Sequence, residues 1–200
     1  MATSRMRQFT VEMTRARDLV GLGQSVYRMT GGRVDGSDMY RAALVHAVAA
    51  LDSYIHGIVL DRGVDMLMGR LANSGSKSKV GLQLSAVQEI LNAPNALMQE
   101  VSARAQIAQR LSLETFQKPD DVANGLAMVG ISKVWSIAFP NDPGAAKAAL
   151  GVIVQRRNRI VHQCDADPLT PGAITPLSDG DALDSISTVQ AVVAAIDPHC

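Results

Sequence analysis

The sequence predicts an all-α domain, on three observations. Apolar residues make up 47% of the 200-residue chain but aromatics only 4%, with alanine and methionine plentiful, a balance that favours helices over a sandwich or barrel. Apolar residues recur at helical spacing, and the alternation a strand ladder needs is absent. Helix start and stop signals punctuate the chain, among them Gly31-Gly32, Ser37 and Pro119. The length fits one domain spanning residues 1–200.

The elements follow in order. A helical pattern from about Ser4 to Met29 ends at Gly31-Gly32. Ser37 reads as the N-cap of a second helix, with Asp38 in its first turn. That helix runs from about Asp38 to Leu60 and continues or restarts through "VDMLMGRL". Its run from Ala42 to Leu60 is the most membrane-like in the chain, but His46, Asp52 and His56 interrupt it, so a buried helix is expected. "NSGSKSKVG" reads as a polar loop, followed by helices at about Leu82–Leu91 and Asn95–Leu111. Pro119 opens another helix with acids in its first turn, and "ISKVWSIAF" is a short segment that stops before Pro140. A helix from Gly144 to about Gln163 precedes the proline-rich loop "DADPLTPGAITPL", and the last helix spans about Asp181–Ile196. Six or more helices and one long loop are expected.

Formal charge is zero, with 19 basic and 19 acidic residues, so any nucleic-acid contact must be local rather than global. The N-terminus lacks the apolar core of a signal peptide, and a cytoplasmic location is expected. Cys164 and Cys200 suggest neither a zinc site nor a disulfide framework.

The densest polar cluster is "QRRNRIVHQCD", Gln155–Asp165. On a helical wheel Arg157 falls within about 60° of Ala146, Leu150, Ile153, Val154, Ile160 and Val161, in the middle of an apolar stripe. Asn158 and His162, four apart, share a face beside that stripe with Gly144 and Gly151. Asp52 falls on the apolar stripe of the second helix, with Val45, Val48, Ala49, Ile55 and Val59. A buried acid and a buried base suggest that Asp52 meets Arg157 across the core, directly or through Asn158. Such a pair either fixes helix register or orients the Arg beside a reactive His. His162 can transfer protons near neutral pH, and Arg157 or Arg159 can stabilise charge on a phosphate. That kit suits metal-independent RNA cleavage, in which the ribose 2′-hydroxyl attacks the adjacent phosphorus.

"RRNRIVHQ" resembles the Arg-Asn-x-x-x-His signature of the HEPN superfamily through Arg157, Asn158 and His162. "YRAALVHAVAALDSYIHGIV" resembles that family's earlier core helix, with an acidic residue at the place of Asp52, and "TFQKPDDVANGLAMVGISKVW" is similar to the middle of its RiboL-PSP-type branch. The resemblance touches about half the chain. It implies a helical bundle dimerising through the motif helix, with two motifs lining one cleft. It also implies metal-independent endoribonuclease activity leaving 2′,3′-cyclic phosphate ends, as in toxins and antiphage effectors, with no cofactor. An antitoxin or defence-system partner would accompany that role. The alternative it carries is a catalytically inactive module that binds nucleotide, RNA or a partner protein. In the active reading Asp52 orients, Arg157 and Asn158 bind the phosphate, and His162 transfers protons. Arg156, Arg159, Lys77 and Lys79 are further candidates for RNA contact.

Other residues carry blander readings. His46 and His56 are expected to be packing or surface histidines, and His199 to lie in a disordered tail. "HQCDAD" is not expected to hold a metal, nor Cys164 to act as a nucleophile with His162. Arg5, Arg7, Arg15 and Arg17 read as a solvated face.

Overall fold

The computed structural model describes residues 3–72, 79–170 and 172–200. Eight α-helices order themselves as α1 (Ser4–Met29), α2 (Ser37–Leu67), α3 (Leu84–Leu91), α4 (Ala96–Leu111), α5 (Pro119–Met128), α6 (Val134–Ala138), α7 (Pro143–Gln163) and α8 (Asp179–Ile196). A 3₁₀ turn at Asp197–His199 closes the described chain, so His199 lies in an ordered turn rather than a disordered tail. Among the described residues the only β pairing is a single bridge between Ala166 and Ile174. The all-α expectation holds.

The second helix is the axis of the fold. At 31 residues it is about 46 Å long. It contacts α1, α4, α5, α7 and α8, and its buried residues cover more than half of its circumference, leaving a strip on which Ala42, Ala49 and Ser53 are exposed. A helix buried over so wide an arc must be apolar over most of its surface. That is why this segment alone, among the described residues, is long and apolar enough to cross a membrane while most of it is buried inside the protein. The stretch "VDMLMGRL" continues α2 instead of restarting a helix.

The three polar interruptions of α2 are all half-buried and all partnered. The His46 ring meets Glu12 of α1 at 2.9 Å. Asp52 and His56 face the segment after α4, described below. The arginines of α1 are more engaged than a solvated face would be: Arg5 forms a two-bond pair with Asp61, and Arg17 donates to Gln190 of α8 at 2.6 Å.

Helix starts obey local chemistry with one correction. Thr3, Asn95 and Asp142 cap α1, α4 and α7 by accepting from the backbone N–H three residues on. Ser178 and Asp181 form a reciprocal capping box at α8, which therefore begins at Asp179, two residues earlier than expected. Ser37, however, is the first helical residue of α2, and Gly36 takes the cap position. The Ser37 hydroxyl is drawn instead to Asp35 and accepts from Arg41. The chain's single tryptophan, Trp135, is buried, donates its indole N–H to the Pro119 carbonyl at 2.8 Å, and stacks on Phe139.

The crossing of α1 over the start of α2 has no room for a side chain. A Cβ at Gly23 would lie 2.7 Å from a Tyr40 ring carbon and 2.8 Å from the Gly36 carbonyl oxygen. Gly23→Ala should therefore force the two most extensively packed helices apart, at a cost of about 1–3 kcal/mol. Urea denaturation checks this; an unchanged midpoint would mean the crossing yields without strain.

Candidate functional site

The end of α7 is held by one carboxylate. Asp165 is fully buried, and its Oδ2 accepts from Arg41 Nε of α2 at 2.9 Å and from Arg156 Nη2 of α7 at 2.8 Å. Both guanidiniums also donate to the Thr175 carbonyl, each at 2.9 Å, and Arg156 reaches the Pro176 carbonyl at 3.0 Å. The Thr175 N–H returns a bond to the Asp165 carbonyl at 2.9 Å. The long loop after α7 is thus folded back and fastened to two helices at once.

The backbone bends sharply to reach that arrangement. Cys164 and Asp165 take positive φ angles of 49° and 55°. A non-glycine residue there costs on the order of 1–3 kcal/mol unless its surroundings hold it. The Asp165 N–H donates to the Arg159 carbonyl at 3.0 Å, which ends the helix, while buried Arg41 and half-buried Arg156 fix the side chain.

The expected pairing of Asp52 with Arg157 does not form. Asp52 accepts from the backbone N–H of Phe116 and from Gln117 Nε2 at 3.2 Å, and lies 3.3 Å from the His56 ring. It anchors the segment between α4 and α5. Arg157 is half-buried rather than central in the core, and its one side-chain bond runs from Nη1 to Asn158 Oδ1 at 3.2 Å. The buried charge pair exists, but Arg41 and Arg156 supply its bases and Asp165 its acid.

Arg156, expected as an RNA contact, is occupied by this clasp. Arg159 is half-buried, and its side chain makes no hydrogen bond or ion pair with another described residue. His162 is exposed on the last turn of α7 without a hydrogen bond or ion pair. Lys79 is exposed ahead of α3, which packs on α4, and Lys77 lies outside the described residues. Cys164 is exposed at the turn.

One feature sets this region apart. Among the described residues, the buried side-chain polar atoms with no partner are Arg156 Nε, Arg157 Nε, Arg159 Nε, Asp165 Oδ1 and Thr175 Oγ1. All five belong to the end of α7 or the loop clasped to it. Native interiors leave few such groups, and each one asks for an explanation such as a bound water, an ion or a catalytic role. Two grooves flank α7 here. One, about 770 Å³, runs between α7 and α8 and includes Arg159, Asp184 and Ser185. The other, about 670 Å³, runs between α7 and α5 and includes Pro119, Lys147 and Gly151. Gln155 and Asn158 border both.

Comparison with family models, with curated proteins and with solved structures gives no match.

Two outcomes follow from these contacts. Asp165→Asn removes the charge that buried Arg41 and half-buried Arg156 share, and should lower stability by about 3–5 kcal/mol. Chemical denaturation reads it, and a loss below 1 kcal/mol would show the clasp to be dispensable.

The second concerns pH. His56 Nδ1 faces the Asp52 carbonyl at 2.8 Å as well as its carboxylate, and Nε2 faces the Leu111 carbonyl at 3.1 Å. With acceptors on both sides the doubly protonated ring fits best. The Asp52 carboxylate, working against burial, raises the His56 pKa to about 8 from 6.5. For Asp52, burial pushes upward, but the bonds from His56, Phe116 and Gln117 outweigh it and hold the carboxyl below its usual range. Because the folded His56 value is the higher one, its stabilisation is complete below about pH 6.5 and fades as pH rises through 8. A loss of about 1–2 kcal/mol across that window, absent in His56→Gln, is expected in urea melts.

Proposed function

We propose that this protein is a homodimeric, metal-independent endoribonuclease of the HEPN type, an RNA-cutting effector of the toxin or antiphage kind. The observation that carries the reading is the gathering of every unpartnered buried polar side-chain atom among the described residues at the end of α7 and its clasped loop, where the Arg157-Asn158-His162 motif lies. His162, exposed and unpaired four residues after Asn158, is free to take the proton of the attacking 2′-hydroxyl or to give one to the departing 5′-oxygen. Arg156 is committed to Asp165, which leaves Arg157 and Arg159 as the guanidiniums for the phosphate. Asp52 contributes at a distance, by tying down the segment that leads into α5.

The outward face of α7 supports the dimer. Gly144, Ala148 and Val152 are exposed along it, Val152 at 67%. Small and apolar residues on one exposed helix face suit a two-fold contact in which each subunit offers the same patch. Two copies meeting there would bring their His162 side chains toward a shared cleft.

His162→Ala should keep its melting temperature, since the side chain is exposed and unpaired, and lose about 10²–10⁴-fold in RNA cleavage. The assay is run with chelator present, and the ends are sequenced for 2′,3′-cyclic phosphate. Cleavage by His162→Ala at the wild-type rate would end the assignment.

A further inference from the structure

Asp184 and Arg159 are opposite charges that border the same groove, and no described residue satisfies either one. Arg159 buries its Nε without a partner, and Asp184 is exposed on α8 with no hydrogen bond or ion pair to its carboxylate. The other two charges that border this groove are committed. Asp181 is held in the capping box of α8, and Arg156 is held by Asp165. An unpaired cation and an unpaired anion in one groove call for a ligand that carries both an anionic group and N–H donors. The groove volume of about 770 Å³ falls within the range of small-molecule sites.

We propose that the α7–α8 groove is a base-reading subsite that selects guanine beside the phosphate at α7. The inference rests on the ribonuclease reading for its biological use, but the groove's chemistry can be tested without it. Arg159 takes a phosphate oxygen. Asp184 turns phosphate away from the α8 wall by like charge, so the base edge faces that wall. Its two carboxylate oxygens accept only. Guanine alone offers two adjacent donors on its Watson–Crick edge, N1–H and the 2-amino group. Cytosine and adenine each offer one amine beside an acceptor nitrogen. Uracil offers one N–H between two carbonyl oxygens that a carboxylate repels. Single-stranded RNA is commonly read through such edges.

The test uses the full-length protein in two measurements. NMR titrations compare guanosine, adenosine, cytidine and uridine 5′-monophosphates, and cleavage of a random RNA pool gives the base preference around cut sites. The wild type should bind the guanine nucleotide about 10–100-fold more tightly than the uracil one, with shifts at Arg159, Asp184 and Ser185. Asp184→Asn, at an exposed position and folded like wild type, should lose that preference, whereas Arg159→Ala should weaken all four nucleotides alike. Equal affinity for the four nucleotides, or a guanine preference unchanged in Asp184→Asn, overturns the subsite whether or not RNA is cut. Guanine selectivity without any RNA cleavage upholds the subsite and overturns the ribonuclease reading instead. Cleavage with no Asp184-dependent base preference does the reverse.

Discussion

A single buried carboxylate, that of Asp165, governs the end of this molecule where the polar residues gather. Its Oδ2 joins α2, α7 and the long loop, because Arg41 comes from the first turns of α2 and Arg156 from the last turns of α7. Two positive groups in a dry site repel each other, and the carboxylate between them turns that repulsion into attachment. Everything placed by α7 after Arg156 inherits its position from this junction. Asn158 lies two residues beyond the clasped arginine and His162 three before the clasped acid, so the motif is bracketed by the clasp at both ends.

The long axis helix makes that junction possible. Because most of α2 is buried, the polar and charged groups that interrupt its apolar run find partners, and these come from three different parts of the chain. Arg41 meets the loop after α7, His46 meets α1, and Asp52 with His56 meets the segment between α4 and α5. The polar residues that break the apolar run are the fastenings by which the surrounding helices keep their register.

Most of the fold was legible in the sequence, because caps, prolines and apolar spacing act locally. The helix ends at Met29, Leu91, Leu111, Gln163 and Ile196 fall where the pattern ends. The site was legible only in part. A helical wheel carries angle but not height. Arg41 and Asp52 are eleven residues apart, which places them within about 20° on the wheel but about 16 Å apart along the axis. The wheel could identify the buried stripe, yet not which of its charges stands level with α7. Asp165 was missed for a second reason: it lies in a loop, where periodicity says nothing about burial. The signal that was available is Arg41 itself, a charge on the 41, 44, 48, 51, 55 stripe that needs an acid from elsewhere.

The lone tryptophan gives this architecture an optical handle. Trp135 holds the carbonyl of Pro119, and Pro119 borders the α5–α7 groove that shares Asn158 and Gln155 with its neighbour. The indole thus sits one residue behind a groove wall, in a dry setting beside Phe139. With no second tryptophan to dilute the signal, emission excited at the red edge of the indole band, where the tyrosines do not absorb, is the emission of that corner. Fluorescence from the unmodified protein therefore reports the packing of the α5–α6 turn against α7, without a dye, a label or an added residue.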